Sequence, residues 1–446
     1  MTVQAPPKPG VQKPSISLLS ESPASEVFIP KPPATFREAG LAPGIIESLI
    51  VKFLAGVGAA SGAEIAGELC LNVKPVIELL SALKQQQIVV YTDSAKMGDF
   101  TYALTDAGRD RSRGFMLESM YVGPAPVPLD DYIASIEAQT ITGKNPQEAD
   151  LRKAFSDLLI APEMFETLGP AINSGRGMFL YGPPGDGKTS IAERITRCFG
   201  DDIYIPKCVI VDGLVIKLLD AAIHEVVEQK RDSIVKQVQI DERWVKVRRP
   251  TIVVGGELTM DALEVQYNST SKTCEAPVQM KSNCGTLLID DFGRQRMQPI
   301  ELLNRWIVPL EKRYDFLALP NGKKVRIPFD QLIIFSTNLE PKDLCDDAFL
   351  RRIPYKINVD DPSEETFRKL FEFVGPKLGF ELDRQAEEAI SYLVETHYKK
   401  TGRPFRCCQP RDLLLQVRNR CLYLGEPVQL TTGLFDYAVS VYFTVM

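Results

Sequence analysis

Residues Met178 to Ile195 read Met-Phe-Leu-Tyr-Gly-Pro-Pro-Gly-Asp-Gly-Lys-Thr-Ser-Ile-Ala-Glu-Arg-Ile. An apolar run comes first, then a glycine-rich turn, then apolar positions at helical spacing (Ile191, Ala192, Ile195). The turn fits GxxxxGK[ST] through Gly182, Gly187, Lys188 and Thr189. Strand, glycine loop and helix in that order define a phosphate-cradling unit of an α/β fold with a parallel sheet. Glycines let successive backbone N–H groups curl around phosphate oxygens, and the helix N-terminus adds partial positive charge. The expected contacts are Gly182, Pro183, Pro184, Gly185, Asp186, Gly187, Lys188, Thr189 and Ser190, with ATP and Mg²⁺ as the ligands. Lys188 reaches the β- and γ-phosphates, and the Thr189 hydroxyl binds Mg²⁺.

A second apolar strand, Cys284 to Ile289, ends in Asp290 and Asp291 about a hundred residues later. In phosphate-loop enzymes the first carboxylate holds Mg²⁺ through water and the next polarises the attacking water. Gln331 to Asn338 is a third apolar strand with a polar end, followed by Leu344-Cys-Asp-Asp-Ala-Phe-Leu-Arg-Arg-Ile353 and later by Gln409-Pro-Arg-Asp-Leu413.

These motifs in this order resemble the AAA+ ATPases over roughly residues 150–446. The resemblance implies that Asn338 orients the attacking water as sensor 1. It implies that Arg352, with Arg351 as alternate, is an arginine finger facing the nucleotide of a neighbouring subunit, and that Arg411 is sensor 2, acting in cis. The family usually has Asp-Glu where this chain has Asp290-Asp291, so slow hydrolysis or a nucleotide-gated scaffold stays open beside full turnover.

Two features resemble the clade of MoxR-type ATPases, magnesium chelatases and bacterial enhancer-binding activators. Tyr314–Ile327 reads as a hairpin around Asn321-Gly322, a type I′ turn signal, where that clade has its pre-sensor hairpin. The segment from Val253 to Lys281 lies where it has a helix-2 insertion.

Residues 1–39, rich in Pro, Ser and Lys, are expected to form a flexible tail. Over 40–118 the pattern predicts three helices, one opened by a Ser61–Glu64 capping box, then two short strands and a further helix from Thr105-Asp106. This resembles a winged helix-turn-helix domain. Its third helix, Val73–Gln86, carries only Lys74 and Lys84 against Glu78, and acidic residues slightly outnumber basic ones over 41–114. Phosphate neutralisation dominates DNA affinity, so protein docking is at least as good a reading. Residues 119–150, with Pro and Gly clustered over Tyr121–Pro128, are expected to be a linker. The α/β ATPase core is assigned to 151–360 and a helical lid to 361–446. His224–Gln239 reads as a charged helix, and 201–249 has no family counterpart.

The 446 residues carry a net charge of −6, which gives no global attraction to nucleic acid or anionic lipid. No apolar run is long enough to span a bilayer, the N-terminus lacks a signal-peptide stretch, and the nine cysteines form no CxxC pair. A cytoplasmic protein without membrane insertion is expected. The resemblance implies a homo-oligomeric ring, a hexamer being one form, that remodels or loads a protein complex. The alternative is a nucleic-acid-directed ATPase, a transcription activator or helicase loader, that uses the winged helix.

Overall fold

The computed structural model describes residues 28–95, 98–200, 202–228 and 239–444, with only the backbone of Ala348. Its centre is a five-stranded parallel sheet. The order across it is Thr251–Val254, Thr286–Ile289, Leu332–Thr337, Met178–Tyr181 and Tyr355–Asn358. The strand leading into the glycine loop thus lies between the strand that ends beside Asn338 and the strand that leads to the C-terminal helices. Thr286–Ile289 and Leu332–Thr337 are buried throughout, as strands covered on both faces must be. One face packs Met178, Leu180, Leu288 and Ile334 against Ile191, Ala192 and Ile195 of the helix Lys188–Ile195. The other packs Phe179, Leu287, Ile289 and Phe335 against Leu302, Trp306 and Phe329. This is the strand alternation expressed as two apolar layers.

A second five-stranded sheet runs Gln266–Asn268, Thr273–Glu275, Leu214–Lys217, Cys208–Val211 and Val127–Pro128. Three stretches singled out in the sequence are placed by it and by a neighbouring strand pair. The segment expected as a helix-2 insertion carries an antiparallel hairpin, Gln266–Asn268 with Thr273–Glu275, between the 3-10 turn Met260–Leu263 and the short helix Val278–Lys281, and Thr273–Glu275 also pairs in parallel with Leu214–Lys217. The unassigned stretch after residue 201 builds the middle of this sheet and an antiparallel pair, Ile203–Pro206 with Trp244–Val247. His224–Glu228 is not helical, since Val226 bridges Val247. The rest of that expected helix, 229–238, lies outside the described residues.

The N-terminal part has helices Pro43–Val57, Gly62–Leu69, Val73–Gln85 and Asp106–Glu118. They pack with a three-stranded antiparallel sheet, in which Phe100–Leu104 lies between Ala59–Ser61 and Val89–Ser94. The Ser61–Glu64 capping box forms: Glu64 N donates to Ser61 Oγ at 3.2 Å and Ser61 N to Glu64 Oε2 at 2.7 Å. Thr105 caps the last helix through Gly108 N at 3.0 Å. Gly108 is there for close approach, because a Cβ would lie 2.2 Å from Ile88 O.

Neither the tail nor the linker is loose where it is described. Phe28 packs edge-on to Trp244, and Asp241 N donates to Pro30 O at 3.0 Å. Tyr121 and Ala125 are buried, Ala125 N donates to Leu69 O, and Val127–Pro128 pairs with Val209–Ile210. Arg243 is buried at the junction. It pairs with Asp241 at 2.8 Å and donates to Ala39 O and Pro126 O at 3.1 and 3.3 Å. One guanidinium therefore ties the N-terminal part to the second sheet. The expected tail before Phe28 lies outside the described residues.

The hairpin forms, Tyr314–Ala318 against Lys324–Pro328, but its turn is not type I′. Pro320 has φ fixed negative, and only Gly322 has positive φ, +81°. Gly322 N bonds Leu319 O, so the loop is a type I turn closed by a left-handed glycine.

After Pro362 the chain is helical: Glu364–Val374, Arg384–Leu393 continued by a π-helical Val394–Lys399, Gln409–Leu424 and Thr432–Tyr442. Phe367, Phe371, Tyr398, Leu413, Val417 and Phe435 form their shared core. No helix among the described residues is long and apolar enough to cross a membrane.

Candidate nucleotide site

The glycine loop takes its shape from backbone that only glycine adopts freely. Gly182, Gly185 and Gly187 have φ of +140°, +93° and +85°. At Gly182 a Cβ would lie 2.4 Å from Val359 O, so the loop lies directly against the end of the neighbouring strand. Gly187 caps the helix that begins at Lys188. Pro183 is half-buried and Pro184 exposed, while Ser190 gives its carbonyl to Arg194 Nη1 at 2.8 Å.

Lys188 is buried, and its Nζ donates to Gly182 O at 2.9 Å and Pro183 O at 2.6 Å. Burial lowers its pKa; the carboxylates of Asp186, Asp290 and Asp291 oppose that shift. Thr189 Oγ1 donates to Asp290 Oδ2 at 2.8 Å. Asp291 has φ of +48°, which turns its exposed side chain out of the strand path. Asn338 Nδ2 approaches Asp291 Oδ1 at 3.4 Å. Two strand ends thus bring Asp290, Asp291 and Asn338 together beside the loop.

These residues line a cleft of about 1860 Å³ between the sheet and the C-terminal helices. Its other walls include Leu158–Met164 and, from the helices, Thr366, Leu370 and Phe373. Arg411 also lines it, with its guanidinium on Asp412 at 3.0 Å and most of the side chain exposed. Arg351 and Arg352 are not among the lining residues. Arg352 Nε pairs with Glu311 Oε1 at 2.7 Å, whereas Arg351 is exposed and forms no ion pair among the described residues.

Sequence reasoning missed several groups here. Arg406 Nη1 reaches Asp186 Oδ2 at 3.1 Å and also pairs with Asp361. The Cys407 N–H donates to Asp186 Oδ1 at 3.1 Å, and the Cys408 N–H to Gly185 O at 2.9 Å. Gln295 braces the carboxylate turn, donating to Asp290 O at 3.0 Å and accepting from Gly293 N at 2.8 Å. No local pattern marks Arg406, because its partner is 220 residues away.

The donor set fits a magnesium nucleotide. It has a glycine cradle at a helix N-terminus, a buried lysine, and a hydroxyl adjoining a carboxylate, which are oxygen ligands of the type Mg²⁺ takes.

Comparison with known proteins agrees with this. Residues 363–441 match a family described as a domain of unknown function, DUF8689. A proteasome-associated ATPase of Renibacterium salmoninarum is 28% identical over 163 residues, covering 36% of this chain and 27% of that protein. A proteasome-activating nucleotidase of Thermococcus gammatolerans is 32% identical over 123 residues, 27% of this chain and 30% of that protein. An AAA ATPase of Kocuria rhizophila named as forming ring-shaped complexes is 30% identical over 92 residues, 21% of this chain and 16% of that protein. The chain spans less than a third of the length of each of these relatives. With the glycine loop and the parallel sheet, these matches support a core of the AAA+ ATPase superfamily.

Proposed function

We propose that this protein binds ATP with Mg²⁺ at the glycine loop, hydrolyses it, and uses the cycle to remodel a protein client as a ring-shaped homo-oligomer. The observation that carries the reading is the Thr189–Asp290 contact of 2.8 Å at the base of the loop. A hydroxyl beside a carboxylate at the start of the loop helix is the kind of oxygen pair that a phosphate-bound Mg²⁺ takes, which supports the reading. Bound Mg²⁺ would neutralise charge that develops on the phosphates. Loop N–H groups and Lys188 hold the triphosphate. Asp291 accepts the proton of the attacking water, and Asn338, 3.4 Å from Asp291, orients it. Arg411 reaches the nucleotide from the lid of the same chain.

The trans arginine is assigned to the pair Arg351 and Arg352. The Glu311 ion pair favours Arg351, because Arg352 would have to give up that partner to reach a neighbour. Ring assembly and a protein client draw support from relatives named for ring formation and for the proteasome. The MoxR-like placement draws only on the hairpins at Tyr314–Pro328 and Gln266–Glu275, and is not part of the proposal.

The N-terminal part is read as a winged-helix-like module that docks protein. Its third helix carries only Lys74 and Lys84 as basic residues, and Lys84 lies over the Tyr91 ring at 3.6 Å, a sparse set for neutralising phosphates. The test is ATP turnover with and without Mg²⁺ for wild type and Lys188→Ala. Turnover that needs Mg²⁺ and vanishes in the variant supports the reading; equal turnover in both proteins sinks it.

A further inference from the structure

The loop built to hold an anion contains one of its own. Asp186 sits in the middle of it with its side chain fully buried. An unneutralised carboxylate there would repel the phosphates that the surrounding N–H groups attract. Lys188 also faces Asp186, but its Nζ donates to two loop carbonyls rather than to this carboxylate, and it is the group that turns to the phosphates. Among the described residues the cation in direct contact is Arg406, which comes from the helical lid.

We propose that Arg406 is a positioning residue that makes the phosphate loop receptive to a triphosphate only while the lid is docked. The Arg406 guanidinium is shared between Asp186 in the loop and Asp361, three residues beyond the last core strand, where the chain turns into the lid. Beside it the Cys407 and Cys408 N–H groups bond Asp186 and Gly185 O, so one short stretch of lid closes on the loop at three points. Burial pushes the Asp186 carboxyl up, while the Cys407 N–H and Arg406 favour its charged form. Lid withdrawal would remove both at once and leave a bare carboxylate next to the phosphates. Nucleotide affinity then falls when the lid opens, without Arg406 touching nucleotide. Gly185 keeps this contact possible, since a Cβ there would lie 2.7 Å from Cys408 Sγ.

This inference rests on the nucleotide reading above, and a charge-rescue cycle separates the two. A fluorescent ATP analogue with Mg²⁺ is titrated into wild type, R406A, D186N and R406A/D186N, with R406Q as a length-preserving alternative should R406A fail to fold. R406A is expected to weaken binding about tenfold or more. R406A/D186N is expected to bind within about twofold of D186N, because the carboxylate that needed neutralising is gone. A merely structural role for Arg406 would give the same penalty in both backgrounds, and that result overturns the inference alone, as does wild-type affinity in R406A. No binding of the analogue by wild type removes the nucleotide reading, and this inference with it.

Discussion

Thr189 and Asp290, 101 residues apart in sequence, meet through a hydrogen bond of 2.8 Å that joins the start of the glycine-loop helix to the end of a central strand. Neither position is free to drift. The helix is pinned by Ile191, Ala192 and Ile195 against the sheet, and the strand is buried on both faces. If the pair holds Mg²⁺, Asp290→Asn should lower metal affinity about 10–100-fold while the folded chain survives. The measurement is turnover against Mg²⁺ concentration. An unchanged metal requirement would separate Asp290 from the metal.

Gly182 tests the architecture of the loop. Ala at this position adds a Cβ 2.4 Å from Val359 O at a φ of +140°. Gly182→Ala should destabilise by about 1–3 kcal/mol and reduce nucleotide binding together with stability. Thermal melting with and without ATP reads both effects. A variant as stable as wild type would mean that the loop and the Val359 strand end are not in contact.

The arginine pair makes a prediction between subunits. Turnover per subunit should rise with protein concentration, and Arg351→Ala should lower it about a thousandfold at saturating concentration. Arg352→Ala should have a smaller effect, through loss of the Glu311 ion pair. A larger effect at Arg352 would return the finger to that residue. A rate independent of concentration and of both arginines would leave the ring model without support at this site.

Arg243 and Asp241 are buried together. Removing one partner leaves the other charge uncompensated, so Arg243→Ala should destabilise by about 3–5 kcal/mol. R243M/D241L should recover much of that loss. Denaturant unfolding measures both, and a single mutant within about 0.5 kcal/mol of wild type would remove the proposed tie between the N-terminal part and the second sheet.

What could be read from the residues was local. The glycine loop, the Ser61–Glu64 box and the fully apolar strands each have a short pattern with its own physical cause. The missed features are pairings across long separations. Val127 with Val209 and Cys274 with Ile216 are ladder partners that no periodicity reveals. Pro-rich composition reads as a tail, yet Phe28 and Pro30 anchor that stretch on Trp244 and Asp241. At the hairpin, Asn-Gly is a true turn signal, but Pro320 and Asn321 take the two central positions of a type I turn, and Asn321 lacks the positive φ that type I′ would require of it. Within the site, the loop lysine and the strand-end carboxylates carry motifs. Arg406 carries none, because a lid loop meets its target only after folding.

The strand Val127–Pro128 is at once the way out of the N-terminal part and the rim of the second sheet. The N-terminal part is therefore not a cassette that can be cut away at its Pro- and Gly-rich boundary. A truncated chain beginning at Leu129 would leave Cys208–Val211 as a bare rim, with unpaired N–H and C=O groups and its own Cys208, which packs against Tyr121, newly uncovered. Such a rim templates pairing with other chains. Clumping of that fragment would then reflect where the cut fell and would say nothing about what the missing part recognises.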